Sequence, residues 1–398
     1  MILHENELAQ VAQIGDGAHA SLKRVDIGIP YLTAKNISKS GIDYNNINYI
    51  SEETYNKYFK DTSTALTQPQ KDDILYSIIG SIGGVYKVQD EKIGISSSVA
   101  ILRVDKEIIL PDYLAYYMRG PIFDATIQAI RGGVAQGFMS LAKLGSVKII
   151  YPENITYQKK IIDVLSAYDN LIENNEKQIK LLEEAAQRLY KEWFIDLRFP
   201  GHENIEIVDG VPDGWNEVSM DEIAEYLNGY AFKPSDWYED GKPIIKIKEL
   251  NEGITAATPR NDGAFIPEKY NISAGDIIFS WSATLTAKIW DAEDGLLNQH
   301  LFKVTPKKGI SREFVLQSIL RTLDLFRNLT TGSTMKHIQR GKLKEVFVCL
   351  PSEHVMNLYA KIAEPYREKI LNLNKQNLYL TEAQDRLLPK LMSGEIEV

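Results

Sequence analysis

The residues best placed to do chemistry in this chain are cations with no acid nearby in sequence. From Ala125 to Pro152 there are Arg131, Lys143 and Lys148 and neither Asp nor Glu; from Leu325 to Lys344 there are Arg327, Lys336, Arg340, Lys342 and Lys344, again without acid. Among them lie Arg131-Gly-Gly-Val-Ala-Gln-Gly137 and Thr330-Thr-Gly-Ser-Thr-Met-Lys336, whose backbone and side-chain donors can approach phosphate oxygens and base edges. That chemistry is recognition of an anion, not bond making. Arg131, Gln136 and Lys143 in the first stretch, and Thr334, Lys336, His337, Arg340, Lys342 and Lys344 in the second, are therefore expected to contact nucleic acid. Ser77, followed by Gly80-Ser-Ile-Gly83, and Ser280, followed by Trp281-Ser-Ala-Thr284, stand at strand ends and are candidates for two further reading loops. Ordinary turn chemistry accounts for those serines equally well, and a loop histidine satisfied by its own neighbours accounts equally well for His337.

No catalytic constellation accompanies them. Gly241-Lys242 runs into Pro243 and Gly341-Lys342 into Leu343, so neither continues as a phosphate-binding loop. None of the prolines follows Asn or Asp, which excludes the Asn/Asp-Pro-Pro-Tyr/Phe motif that positions an adenine amino group for methyl transfer. The histidines are not spaced as metal ligands, and the one cysteine, Cys349, sits in the apolar run Val346-Phe-Val-Cys-Leu350 and can form no intrachain disulfide. The opening residues do not read as a signal peptide and no window has 18 consecutive apolar residues, so the expected location is the cytoplasm. The formal net charge of -9 argues against a nucleic-acid partner when taken as a total. Two acid-free cationic strips within it argue the other way.

Those strips occupy equivalent places in a repeat. Gly133, Lys143, Leu144 and Pro152 recur half a chain later as Gly332, Lys342, Leu343 and Pro351, and Ala185-Ala-Gln-Arg-Leu189 recurs as Ala383-Gln-Asp-Arg-Leu387. Gly28-Ile-Pro-Tyr-Leu32 resembles Gly241-Lys-Pro-Ile-Ile245, and Lys71-Asp-Asp-Ile-Leu-Tyr-Ser77 resembles Ala274-Gly-Asp-Ile-Ile-Phe-Ser280. Residues 1–153 and 205–352 are rich in Gly, Ser, Thr and short β-favouring runs, with helical patches at Pro111–Met118 and Ser311–Leu320; they read as two similar mixed α/β domains. Residues 154–204 and 353–398 each carry a long helix, the periodic parts being 156–196 and 354–391. The expected class is α+β.

The apolar seam of the first helix runs Ile161, Leu165, Tyr168, Ile172, Asn175, Ile179, Leu182, Ala186, Leu189, Trp193, in alternating steps of four and three. Its counterpart runs Tyr359, Ala363, Tyr366, Ile370, Leu373, Asn377, Leu380, Gln384, Leu387, Leu391, with Pro365 expected to kink the helix or start its regular part. Packed antiparallel, centre against centre, the two seams bring Asn175 opposite Asn377. A buried amide pair then fixes register, because a slip of one heptad leaves two amides facing hydrocarbon. A seam this long spans about 50 Å at about 1.5 Å per residue. The picture is of two modules related by an approximate two-fold axis and held apart by an antiparallel coiled coil, an object suited to a target with two parts and a fixed gap.

The passage Thr331-Gly-Ser-Thr-Met-Lys-His-Ile-Gln-Arg-Gly-Lys-Leu-Lys-Glu-Val-Phe-Val-Cys-Leu-Pro351, followed by a heptad helix and echoed half a chain earlier, resembles the specificity subunit of type I restriction-modification systems. Asn298-Gln-His-Leu-Phe-Lys303 and Pro212-Asp-Gly-Trp215 resemble it as well, whereas Gly132-Gly-Val-Ala-Gln-Gly-Phe-Met139 in the first copy departs from the Ser-Thr-x-Lys-His pattern. The resemblance implies a non-catalytic DNA-reading subunit: two target-recognition domains, each taking half of a bipartite asymmetric site in double-stranded DNA, with helices setting the gap. It implies two methyltransferase subunits as partners, which would bring S-adenosylmethionine, and, where present, restriction subunits that would bring ATP and Mg. Tyr190 and Trp193 are expected to pack in the seam, their alternative being to receive the methyltransferase subunit. The rival to DNA readout is a dumbbell-shaped scaffold joining two proteins; an enzyme with unrecognised motifs is a third option, opposed by the missing motifs.

Overall fold

The computed structural model describes the whole chain except residues 1, 40, 45, 61–64, 132–136, 283 and 329–339, and leaves aside the side chains of Arg131 and Arg340. The chain divides into two compact units, one formed by Met1–Leu171 with Leu380–Val398 and the other by Ile172–Tyr379. Each unit contains one mixed α/β domain and part of both long helices.

The two units repeat one topology. In the first, strands Ala12–Asp16, Val99–Val104, Ile74–Ser77 and Val85–Lys87 form an antiparallel sheet in that order. In the second, Ala224–Asn228, Leu301–Pro306, Ile277–Ser280 and Thr286–Ile289 do the same. Burial of a strand on both faces explains why Ile74-Leu-Tyr76 is apolar at successive positions and does not alternate with polar residues. Ile74 and Tyr76 face one core together with Ala100 and Leu102, while Leu75, Val99 and Ile101 face another. In the second unit Ile277 and Phe279 are parted from Ile278 in the same way. Both faces of each central sheet are buried.

Behind each central sheet lies a smaller one. Ile29–Leu32 is flanked by Asn48–Ile50, antiparallel, and Gly94–Ile95, parallel. Lys242–Ile245 is likewise flanked by Arg260–Asn261, antiparallel, and Gly295–Leu297, parallel, so the resemblance of Gly28–Leu32 to Gly241–Ile245 marks equivalent strands. A two-stranded ribbon closes each domain: Leu3–Glu7 with Lys148–Pro152, and Asn216–Ser219 with Phe347–Leu350, the strand that carries half-buried Cys349. The helical patch at 111–118 is a helix over Pro111–Arg119 with proline in its first turn, where the missing N–H costs nothing. The second patch continues further than the sequence suggests, over Arg312–Asn328.

The long helices span Ile155–Tyr190, followed by a π-helical turn at Lys191–Ile195, and Glu353–Ser393. Pro365 starts nothing: the second helix begins at Glu353 and runs through it. None of the seam positions is exposed. In the first unit Ile161 and Leu165 share a core with Leu388, Leu391 and Met392, and in the second Trp193 packs on Tyr359 with ring centroids 5.9 Å apart. Within each unit the helices therefore run antiparallel. Asn175 Nδ2 donates to Asn377 Oδ1 at 2.8 Å, the pairing that the matched asparagines predict. Ile179 and Leu182, half-buried, and Leu373, buried, belong to the same unit, as does half-buried Ile172, whereas half-buried Leu380 belongs to the other. Tyr190 and Trp193 are buried in the second core, so packing is their role.

Candidate nucleic-acid interface

Each α/β domain approaches its closing strand through a short helix that presents lysine outward and leucine inward. In the first unit the helix is Leu141–Gly145, capped by Ser140, whose Oγ accepts from the Lys143 backbone N–H at 3.2 Å. Leu144 is fully buried and Lys143 is exposed. In the second unit a 3-10 helix, Arg340–Glu345, buries Leu343 and leaves Lys344 exposed. The leucine anchors the turn, and the lysine beside it has nowhere to go but solvent.

Not every cation of the acid-free strips stays available. Lys342 Nζ lies 2.7 and 2.9 Å from the two carboxylate oxygens of Glu345, the residue that ends the strip. Lys148 Nζ lies 2.8 Å from Glu5 Oε2, a carboxylate on the partner strand of the ribbon, and that bond raises the lysine pKa above its ordinary value. Arg327 pairs with Asp324. Asp324 and Glu345 stand just outside the second strip and Glu5 lies far from Lys148 in sequence, and these acids leave Lys143 and Lys344 as the least compensated of the expected lysines among the described residues. Lys344 shares a cleft of about 680 Å³ with Lys307, a cation outside the acid-free strips, and with Asp221 and Glu225. Two charges of each sign make this a poor isolated phosphate pocket.

The serine candidates require correction. Ser77 is fully buried; its hydroxyl donates to the Ser81 carbonyl at 2.6 Å and accepts from the Gly84 N–H at 2.7 Å. Ser280 is also fully buried and donates to the Ser282 carbonyl at 3.1 Å. A hydroxyl committed inside its own turn cannot read a base, so both serines build loops and touch no ligand. The loop that Ser77 shapes is nevertheless well placed: Gly80 N–H donates to the Gly137 carbonyl at 2.6 Å and Met139 N–H to the Ile78 carbonyl at 2.8 Å. The structure thus joins Gly80–Gly83 to the end of the Arg131–Gly137 passage. In the second unit Trp281, next to Ser280, is held by an indole N–H bond to Asn228 Oδ1 at 3.0 Å and leans on His300 with centroids 5.8 Å apart. Arg131 ends the helix Pro121–Arg131 and Arg340 begins the 3-10 helix. Gln136, Thr334, Lys336 and His337 lie outside the described residues.

The family model for the type I restriction modification DNA specificity domain matches this chain twice, over residues 5–184 and 212–381. The chain belongs to the type I restriction-modification DNA specificity family. Each match takes in one recognition domain and the helix that follows it in sequence. Among curated relatives, the specificity subunit of the MjaIX type I restriction enzyme of Methanocaldococcus jannaschii is 27% identical over 74% of this chain and 71% of its own. That of the HindI enzyme of Haemophilus influenzae is 23% identical over 82% and 87%. Among solved structures, a type I restriction-modification S subunit from M. genitalium superposes with a TM-score of 0.57 at 16% identity, covering 98% of this chain and 96% of that one, which shows a shared fold. As a member of this specificity family the chain is a non-catalytic specificity subunit, which has DNA and companion subunits as its partners. Among the described residues no group of His, Cys, Asp and Glu is arranged to hold a metal ion, and no helix is long and apolar enough to cross a membrane.

Proposed function

We propose that each unit reads one half of a bipartite, asymmetric sequence in double-stranded DNA and that the antiparallel helix pair sets the unread gap between the halves. The observation that carries this is the duplication: two domains of one topology, each with a lysine next to a buried leucine at equivalent places, Lys143 with Leu144 and Lys342 with Leu343, and divergent loops around them. Shared architecture with different loop chemistry is what an asymmetric two-part target demands. Lys143, Lys344 and the passages around Arg131, Gln136, Thr334, Lys336, His337, Arg340 and Lys342 are the proposed contacts. The partners are two methyltransferase subunits bringing S-adenosylmethionine to adenine, joined in some assemblies by restriction subunits bringing ATP and Mg, all in the cytoplasm. Surplus acid over the rest of the surface means that the chain alone binds DNA weakly and that its companions supply much of the affinity.

The test is reconstitution with the companion methyltransferase on random-sequence DNA, followed by mapping of methylated adenines. Methylation confined to one two-part motif is expected. Uniform methylation would overturn the reading, and methylation by this chain alone would make it an enzyme.

A further inference from the structure

Four backbone hydrogen bonds fold the chain into the same tight turn in both units. Val99 N–H donates to the Ser96 carbonyl at 3.0 Å and closes the turn at residues 96–99; Leu301 N–H donates to the Asn298 carbonyl at 3.0 Å and closes the turn at 298–301. Ser96 N–H reaches the Leu32 carbonyl at 2.9 Å and Asn298 N–H the Ile245 carbonyl at 3.1 Å, so each turn docks on the end of the equivalent strand of its small sheet. A loop crosses each turn as well: Ser97 N–H donates to the Ala18 carbonyl at 3.1 Å and Gly17 N–H to the Val99 carbonyl at 3.3 Å, and Gln299 N–H donates to the Tyr230 carbonyl at 2.9 Å and Gly229 N–H to the Leu301 carbonyl at 3.1 Å. Glycine permits this approach, since a Cβ at Gly17 would come within 2.1 Å of the Ile95 carbonyl oxygen and one at Gly229 within 2.2 Å of the Asn298 carbonyl oxygen. Residue by residue, Ser96, Ser97 and Ser98 are the counterparts of Asn298, Gln299 and His300.

In each turn the first side chain builds and the middle one is left over. Ser96 Oγ accepts from Ser98 N–H at 3.3 Å and lies 2.6 Å from Ser98 Oγ, which accepts from Ala34 N–H at 3.0 Å. Asn298 is buried and its Oδ1 accepts from His300 N–H at 3.5 Å. Ser97 Oγ and the Gln299 amide, on half-buried residues, have no hydrogen-bond partner among the described residues. A donor partly withdrawn from water and carried on a pinned backbone gives up little freedom when an acceptor arrives. The acids nearest in sequence stand aside. Asp16 Oδ2 lies 2.9 Å from His19 Nε2, and the counterpart of Asp16 is the neutral Asn228. Asp90 and Glu91 precede the strand Gly94–Ile95, and Glu293 and exposed Asp294 precede Gly295–Leu297, at the ends away from the turns; Asp236, Glu239 and Asp240 likewise precede Lys242–Ile245. Of these, Asp90 pairs with Lys71 and Glu293 with Arg260.

In the first unit the turn is continuous with the cationic strip. Ile78 N–H donates to the Ser98 carbonyl at 2.9 Å, and Ile78 in turn accepts from Met139 N–H, so hydrogen bonds run from the turn to the passage that follows Arg131 and precedes Lys143. What the two halves of an asymmetric site have in common is their sugar–phosphate backbone, and a contact built on one frame in both units matches that common part. Ser and Gln differ as readers of base edges and agree as neutral donors to phosphate oxygen. We propose that Ser97 Oγ and Gln299 Nε2 each donate to a DNA phosphate, one in each half-site, and so position their domains without reading sequence.

This inference rests on the DNA reading above, and the experiment separates the two. The full chain, wild type or carrying Ser97→Ala, Gln299→Ala, Ser97→Lys or Gln299→Lys, is reconstituted with its methyltransferase subunit and its methylated motif is mapped. Affinity is then measured over a range of salt for a duplex of that motif and for single-base variants of it. Each alanine variant should weaken binding about threefold to tenfold on all duplexes alike, with motif and salt slope unchanged, because a neutral donor releases no counterion. Each lysine variant should steepen the slope of log affinity against log salt by about one, its charge meeting the phosphate that the lost donor met. Alanine variants that bind as wild type does, or lysine variants that keep the wild-type slope, overturn the phosphate contact. An alanine variant that relaxes the motif at one position makes its side chain a base reader and overturns it too. Neither side chain has an internal partner to lose, so the variants keep the fold; failure of both variants at one position to assemble with the methyltransferase would make that residue structural and overturn the contact there. A wild type that methylates without sequence preference, its lysine variants still steepening the slope, overturns the proposed function and leaves the phosphate contact standing.

Discussion

The two units place a long helix against a recognition domain by the same topology and with opposite chemistry. In the second unit the junction is aromatic and ionic. Phe194 stacks edge-on against Phe314 and Tyr359, with centroids 4.9 and 4.8 Å away, and Tyr190, its hydroxyl pushed up to about 12 by burial, bonds Ser318 Oγ at 3.0 Å. Beside them Glu313, fully buried, takes two bonds from the Arg367 guanidinium at 2.9 and 3.2 Å, and Gln317 Nε2 adds a third at 2.7 Å. In the first unit the junction is aliphatic, built by Leu388, Leu391 and Met392. Its polar part is half-exposed Asp169, which accepts from Tyr116 Oη at 2.5 Å and Gln384 Nε2 at 2.7 Å. A backbone arrangement survives duplication while the side chains that hold it are free to diverge, provided each set is internally satisfied.

The largest effect should therefore come from leaving one charge of the buried pair alone. Glu313→Ala strands Arg367 in a dry site and should cost about 3–5 kcal/mol, seen as lost hydrogen-exchange protection in peptides of the second unit. Replacing Glu313 and Arg367 together by Met and Leu should recover most of that loss, since no charge is then stranded. Asp169→Ala in the first unit removes a carboxylate that water already reaches and should cost about 1–3 kcal/mol. Equal losses for Glu313→Ala and Asp169→Ala would erase the contrast between ionic and aliphatic junctions.

The helix seam offers the next test. Asn175→Ala leaves the Asn377 amide without its partner and should cost about 1–3 kcal/mol by urea titration. Converting both residues to Leu should restore stability and loosen register, and mapped methylation sites should then show more than one gap length. A single unchanged gap would remove the amide pair from the ruler.

What the sequence made legible were features with a period or a partner in the repeat. The seam, the matched asparagines and the equivalent strands at Gly28–Leu32 and Gly241–Ile245 were all visible, because heptad spacing and duplication survive without coordinates. The direction of the Ser77 and Ser280 hydroxyls was not, since turn geometry turns them inward. Acid-free windows overstated the free charge because Glu345 stands one residue past the window and Glu5 reaches Lys148 from the far end of the domain. Pro365 lies inside the second helix and does not start it, because a helix held by tertiary packing tolerates one missing donor.

The loop serines separate the units more finely. Ser77→Ala deprives the Gly84 N–H of its acceptor and the Ser81 carbonyl of its donor, and should cost about 1 kcal/mol or somewhat more. Ser280→Ala gives up one bond at 3.1 Å and should cost less. Both variants should methylate the wild-type motif, and a relaxed motif would return the serine to the reading surface.

The smallest effects belong to single surface lysines, and there the two units should differ in a way that only ionic strength exposes. Lys143 is exposed and Lys344 is exposed, whereas Lys342 is held by Glu345. A lysine that replaces a phosphate counterion contributes about one unit to the slope of log affinity against log salt. Lys143→Ala and Lys344→Ala should each lower that slope by about one for the reconstituted complex while leaving the methylated motif intact. Lys342→Ala should lower it by less, because its charge is already shared with a carboxylate that must be displaced before phosphate can bind. Removing that carboxylate with Glu345→Gln should raise the slope, and a Lys342→Ala change added to it should then cost as much as Lys143→Ala. Equal slopes for all three lysine variants in the otherwise wild-type chain would mean that Glu345 does not hold Lys342 back, and that the two strips are electrostatically alike.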